Sequence, residues 1–547
     1  MYGQSPTGRP PTRGQRGLIS SPHYLASSTG IDILREGGSA VDAAIAANAT
    51  LCVVYPHMAG LGGDGFWLIA DGDGTVNGIN ASGPAGSQAT REYYADRGDE
   101  EIPTRGSAAA LTVPGAVDGW RLAHTKYGQL PWERLFEDAI AFARQGVAMT
   151  ANFTQWISRD VEILRQQAAI AKMFLTDGEV PEVGTLLKQP TLGTSLETVA
   201  QLGPREGFYD GPIAEQFCDG LGEASPLTPM DFEQYAAEWV APLSVEYRDV
   251  TAYSLPPNTQ GIAALQILRL LDYFDVGSWG DGTADFYHYM TEVVKLAFAD
   301  RDAWVTDPEA VDVPVEKLFA GPYLDTRRER IDSATVLPAP VEPGIAPAGG
   351  TPEPQNLGGD TCYLSVVDDQ GLAVSMIQSI YFDFGSGILA GETGIIPQNR
   401  GAFFSLDPCH INSLEPGKRT FHTLIPGILT RDDQPYLVYG TMGGEGQPQT
   451  QAAIVSRIID FGYDVQQAIE APRWLYGRTW GEESKSLSLE GRIPDSVAAE
   501  LQRRGHPVTM VRDVDETMGH AAAIKIHDNG VLEGGADPRG DGASIGY

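Results

Sequence analysis

Between Ser333 and Asp360 the chain holds six prolines and five glycines in 28 residues, with no hydrophobic period. Proline at that density forms neither helix nor central strand, so an exposed linker is expected. The linker ends in Gly358-Gly359-Asp360 and passes at once into Thr361-Cys362-Tyr363-Leu364-Ser365-Val366-Val367. This apolar, β-branched run reads as a buried strand. Threonine at the junction is ordinary strand chemistry, because it is a good β-former. It acquires a second meaning if the chain is cut just before it. The new terminus would carry a hydroxyl nucleophile and an α-amine on one residue. Such an amine titrates near ~8 and serves as its own general base at neutral pH. The position of the linker directly ahead of Thr361 favours a processing loop over a plain spacer.

The rest of the chain narrows the function classes. At 547 residues there is length for a large core, and 42% hydrophobic residues is ordinary for a globular protein. The net charge is −34, and only eight of the 38 basic residues are lysines. So acidic a surface argues against nucleic acid or an anionic membrane as partner. It favours a halophilic-like protein, whose carboxylates are screened in high salt, over a merely acidic one. Cys52, Cys218, Cys362 and Cys409 are scattered and form no C-x-x-C pair, which speaks against a disulfide scaffold or structural zinc. No metal-ligand cluster or cofactor motif is evident. Residues 1–17 read as a flexible arm with no apolar segment behind the basic residues, and no run of about 18 apolar residues occurs, so a soluble cytoplasmic protein is expected.

Helical patterns cover Ala26 to Ala49, broken at Gly37-Gly38 with Ser39 as a cap, then Trp132–Gln145, Thr154–Met173, Gly261–Leu271 and Asp285–Asp302. Gly60-Leu61-Gly62-Gly63-Asp64-Gly65 is a glycine turn leading a strand, without the lysine of a phosphate loop. After the linker, strands are expected at Cys362–Val367, Ala373–Ile377, Gly427–Thr430, Tyr436–Gly440, Ala521–His527 and Val531–Gly535, with helices at Thr450–Ile459 and Val465–Ala471. Strand runs flanked by helical runs point to a layered architecture of helices and sheets.

Several stretches together resemble the γ-glutamyltransferase family of N-terminal-nucleophile hydrolases. They are AVDAAIAANATLCVVYPHMAGLGGDGFWLI, PGAVDGW, PPNTQGIAALQIL, HYMTEVVKLAFADRD, GDTCYLSVVDDQGLAVSMIQS, GSGILAGETGI, MGGEGQPQTQ and GGADPR. The resemblance implies an α+β fold, a four-layer αββα sandwich built of two subunits from one precursor. It places autocatalytic cleavage of the zymogen between Asp360 and Thr361, giving a large subunit of residues 18–360 behind the arm and a small catalytic one of 361–547. Thr361 is implied as nucleophile, Ser379 as the second hydroxyl that hydrogen-bonds its amine, and Gly443-Gly444 as the oxyanion site. No cofactor is implied.

The substrate positions depart from the family. Its carboxylate-gripping arginine falls in Asn80-Ala81-Ser82-Gly83-Pro84, where no arginine stands. A Ser-Ser pair becomes His422-Thr423, an asparagine becomes Tyr381, and the two acidic residues that hold the substrate ammonium become Arg400 and Phe403. A guanidinium repels an ammonium and suits a carboxylate, which its planar fork binds bidentately. Arg400 in an ordinary ion pair remains the competing reading. The expectation is an amide hydrolase or acyltransferase for a small molecule, with water or an amine as acceptor. γ-Glutamyl compounds such as glutathione come first. The alternatives are a small acidic amide (oxamate to oxalate), an acylase substrate, or a catalytically silent metabolite-binding role.

Overall fold

A computed structural model describes residues 7–347, 359–477 and 486–547. Most of its described strands form two seven-stranded sheets, beside one three-stranded and one two-stranded sheet. The first runs Ala543–Gly546, Leu18–Ser21, Asp360–Val367, Ala373–Tyr381, Asp64–Ala70, Val76–Ala81 and Glu238–Val240. The second runs Thr12–Gly14, Leu532–Ala536, Ala521–Ile526, Gln434–Thr441, Gly427–Arg431, Val250–Ser254 and Leu243–Tyr247. Neighbours within each sheet are antiparallel.

Successive side chains on a strand point to opposite faces, and here both faces are apolar. Phe66, Leu68, Tyr363, Val367 and Ile377 meet Ile428, Val438, Ala522 and Ile524 between the sheets. Trp67, Ile69, Cys362, Leu364, Val366 and Met376 turn outward onto a helical layer that includes Ala40–Val54. Leu429, Leu437, Tyr439 and Ala523 turn outward on the other side, onto Gly261–Leu271, Ala284–Trp304 and Gln447–Ile459. A sheet buried on both faces needs a layer on each side, and the result is the expected α+β αββα sandwich. The helix Ala40–Val54 is small and apolar all round and every residue in it is buried, with Ser39 and Asp42 closing its start as a capping box.

Three expectations change. Residues 7–17 are not a loose arm: Thr12–Gly14 forms the edge strand of the second sheet, and Gln15 and Arg16 N–H groups donate to the Tyr547 carbonyl. Edge pairing is made by backbone groups, so it left no hydrophobic signal. The long helix over Thr154–Met173 is three short ones, Ala151–Arg159, Val161–Leu164 and Ala168–Phe174. Asp160, outside helical geometry at φ −103° and ψ 14°, separates the first two. The linker is anchored in its first half. The Asp332 carbonyl lies 2.7 Å from His288 Nε2, the Leu337 N–H donates to Glu292 and the Gly344 N–H to Asp300, and Trp304 donates to the Ile345 carbonyl. All four partners, His288, Glu292, Asp300 and Trp304, lie on the one helix Ala284–Trp304. Residues 348–358 lie outside the described residues.

Candidate active site

By strand parity Thr361 faces the space between the sheets with Tyr363, and Ser379 faces it with Ile377. The pairing of their strands slips between Asp360–Tyr381 and Cys362–Gln378, so Ser379 and Ile380 together oppose Thr361. Such a bulge re-aims side chains beside a site. Both hydroxyl residues are buried, and among the described residues Thr361 Oγ1 has no hydrogen-bond partner. Ser379 Oγ accepts from the Tyr381 N–H at 2.8 Å and from Arg400 Nη2 at 3.3 Å.

Gly443 and Gly444 join the strand Gln434–Thr441 to the helix Gln447–Ile459. Their φ values of 116° and 51° lie in the left-handed region, where a Cβ is strained. A Cβ on Gly444 would also stand 3.0 Å from the Gly359 carbonyl oxygen, so the chain just ahead of Thr361 lies against this turn. Gln260 Nε2 fixes the turn by donating to the Gly444 carbonyl at 3.0 Å and to that of Thr423 at 2.7 Å. Arg301 orients the Gln260 amide through its Oε1 at 2.9 Å and pairs with buried Glu445 at 2.6 Å.

Arg400 opens a short 3-10 turn, Arg400–Phe403, and is 1% exposed. Its Nη1 donates to Thr423 Oγ1 at 3.1 Å, and its guanidinium carbon lies 4.1 Å from the centre of the Tyr381 ring. Phe403 packs on Tyr381 at 4.7 Å between ring centres, with Phe382 stacked on its other side at 4.6 Å. Tyr381 itself has φ 81°, a conformation that costs a non-glycine residue about 1–3 kcal/mol and gathers at functional sites. Among the described residues Arg400 makes no ion pair, and its Nε–H has no acceptor. Burial pulls its pKa down to about 10, against the opposing pull of Tyr381 and Asp64.

His422 is buried. Its Nδ1 accepts from the Leu424 N–H at 3.3 Å, which leaves the proton on Nε2 to donate to Asp64 Oδ2 at 3.2 Å. Burial, then the charge of Arg400, holds the ring well below its usual titration range, so it is neutral. Asp64 Oδ1 takes three further donors, the N–H groups of Gly83 and Gly115 and the Gln398 amide. Burial pushes this carboxyl up to about 7, with those donors opposing. The loop at Asn258–Gln260 completes the frame: the Asn258 carbonyl accepts from the His422 N–H, and the His422 carbonyl from the Gln260 N–H.

The structure therefore gathers Thr361, Ser379, Tyr381, Arg400, Thr423, Gly443 and Gly444, whereas His422 commits both ring nitrogens to the protein. Side-chain geometry at Asp360 lies outside the described residues. Sequence reasoning missed Asp64, Gln260, Arg301 and Glu445. Each sat inside a motif read for its glycines or its helix, and an acidic or amide group in such a run was the available signal.

The family model described as Gamma-glutamyltranspeptidase matches residues 26–547. The chain belongs to the γ-glutamyltranspeptidase family. Within that family it is 44% identical to the Glutathione hydrolase-like YwrD proenzyme of Bacillus subtilis, over 97% of this chain and 99% of that one. It is 45% identical to the Oxamate amidohydrolase proenzyme of Klebsiella pneumoniae, over 97% and 98%. The crystal structure of cephalosporin acylase from Bacillus halodurans superposes with a TM-score of 0.89 at 35% identity, covering 100% of this chain and 99% of that one. The γ-glutamyltranspeptidase-family chain is thus an enzyme of the N-terminal-nucleophile class, a hydrolase or acylase. Among the described residues no helix is long and apolar enough to cross a membrane.

Proposed function

We propose that this γ-glutamyltranspeptidase-family chain cuts itself between Asp360 and Thr361 and then hydrolyses the amide of a small acid whose carboxylate sits beside the scissile carbonyl, as in oxamate. In maturation Thr361 Oγ attacks the Asp360 carbonyl, the peptide C–N bond gives way to an ester and frees the Thr361 α-amine, and water then cleaves the ester to leave the Asp360 carboxylate and the Thr361 hydroxyl. The two relatives named as proenzymes support this step. So does the closeness of Gly359 to Gly444, which brings the chain just ahead of Thr361 against the glycine turn.

In turnover the hydroxyl of Thr361 attacks the amide carbonyl and its own amine takes the proton. Backbone N–H groups of Gly443 and Gly444 stabilise the oxyanion, each such donor being worth about 3 kcal/mol. Collapse returns the proton to the departing nitrogen, ammonia leaves, and water releases the acid from the acyl-enzyme. Ser379 orients the amine, Arg400 with Thr423 grips the carboxylate, and Tyr381 forms the wall beneath it. His422 holds Asp64 and, through it, the floor of the pocket.

The observation that carries the substrate class is Arg400, a buried guanidinium that among the described residues has no ion-pair partner and an unused N–H. A γ-glutamyl substrate would bring an ammonium to the same wall. The nearby acids are committed elsewhere, Asp64 to four donors and Glu445 to Arg301.

Two experiments test the reading. Thr361→Ala should leave one uncut chain of 58.7 kDa on a denaturing gel; a variant that still splits and turns over sinks the nucleophile. Mature protein should release ammonia from oxamate and little chromogen from a γ-glutamyl anilide. The reverse result favours a glutathione-type substrate, and silence on both favours a binding role.

A further inference from the structure

Away from the catalytic layer, His288 and Glu292 stand four residues apart on the helix Ala284–Trp304, and His506 follows the helix Asp495–Arg504. All three are buried, and one ligand atom from each lies within 4.8 Å of the others. We propose that these side chains form a binding site for a first-row transition dication of the zinc type, and that the ion clasps the end of the large subunit to its own helix. The inference is independent of the substrate reading above.

The tautomers carry the argument. His288 Nε2 lies 2.7 Å from the Asp332 carbonyl, which only accepts, so the proton sits on Nε2 and Nδ1 presents a lone pair. A ligating histidine fixed through its other nitrogen by a carbonyl is the usual outer arrangement of a metal site. That lone pair faces His506 Nε2 at 2.8 Å. Without an ion, His506 Nε2 carries the proton and donates it to that lone pair. With an ion, the proton moves to His506 Nδ1, which is buried and has no partner among the described residues in either state, and both facing lone pairs bind the metal. Two nitrogens on a tetrahedral zinc stand about 3.3 Å apart, so the rings need part by only about half an ångström.

Glu292 supplies the anion. Its Oε1 takes the Lys295 ammonium at 2.6 Å and its Oε2 the Leu337 N–H at 2.5 Å. A carboxylate has about four lone-pair sites, so each oxygen keeps one for a metal. Two imidazoles and one carboxylate are a borderline-soft set that selects zinc, nickel or copper over magnesium or calcium. Lys295 is the competing cation and sets the affinity: it pairs with Glu292 and lies 5.0 Å from the Tyr476 ring centre. Because Asp332 and Leu337 both contact ligand side chains, an ion here fastens the first turns of the linker that leads to the cleavage point.

The test uses full-length protein stripped with a chelator and titrated with zinc, read by native mass spectrometry and elemental analysis. One equivalent should be retained, and His288→Gln, Glu292→Gln and His506→Gln should each weaken retention by about tenfold or more. Amide hydrolysis should persist in His506→Gln. Zinc that does not stay, or that stays undiminished in all three variants, overturns the proposal. If a variant fails to fold, cobalt added to the stripped parent chain decides: intense visible bands of a low-coordinate imidazole site support it, and the spectrum of the aqueous ion refutes it.

Discussion

Arg400→Met should weaken catalysis and strengthen the fold at the same time. Burial lowers the guanidinium pKa from its ordinary value to about 10, which corresponds to a charge held at a cost of about 3 kcal/mol. The sign follows from linkage. Between about pH 10 and the ordinary guanidinium range the unfolded chain binds the proton more readily, so stability rises with pH across that window and the full burden is present at pH 7. Methionine removes the charge and keeps much of the stacking on Tyr381 and Phe403. The partners left behind are hydroxyls, and Ser379 Oγ retains the Tyr381 N–H. Allowing for the lost hydrogen bonds and cation–π contact, a gain of about 1–2 kcal/mol remains. For a chain this long that is about 1–2 °C in the thermal midpoint. A substrate carboxylate deprived of its partner in a buried site loses about 3–5 kcal/mol, so kcat/KM for oxamate should fall by two to three or more orders of magnitude, about 1.4 kcal/mol per tenfold. The assay is ammonia release alongside calorimetry on the same preparation. A midpoint that drops by several degrees would make Arg400 a structural residue. Unchanged turnover would remove it from the site.

Gly444→Ala should slow both maturation and turnover, since φ 51° and the Gly359 oxygen 3.0 Å away leave no place for a methyl group. A fall in kcat of about a hundredfold is expected for one misplaced oxyanion donor, measured on whatever fraction matures. Arg301→Met removes the salt-bridge partner of buried Glu445 and the group that orients Gln260. It should lower stability by about 3 kcal/mol and reduce kcat more than it raises KM, as steady-state kinetics with thermal melts would show.

Much of the scaffold was legible because its signals are local. The turn of pattern at Thr361, the small-residue helix Ala40–Val54 with its Ser39 cap, and the apolar strands after the linker each follow from period and propensity. The elements that escaped notice are those held by backbone pairing. Thr12–Gly14, Leu18–Ser21 and Ala543–Gly546 are short and polar or glycine-containing, and pair with strands hundreds of residues away. The same division runs through the site. Thr361, Ser379 and the glycine pair are marked by motif. The role of His422 was open until both its nitrogens were seen engaged, and Asp64 was invisible behind its glycines.

From the order of residues and the family resemblance it carries come the proposed nucleophile Thr361, the glycine turn and the Arg400 and Phe403 that stand where the family has acidic substrate contacts. Each is a matter of which atoms are present. That Arg400 makes no ion pair among the described residues was decided only by folding, because pairing depends on distances between segments far apart in the chain. The same holds for His288 and His506, 218 positions apart and 2.8 Å from each other.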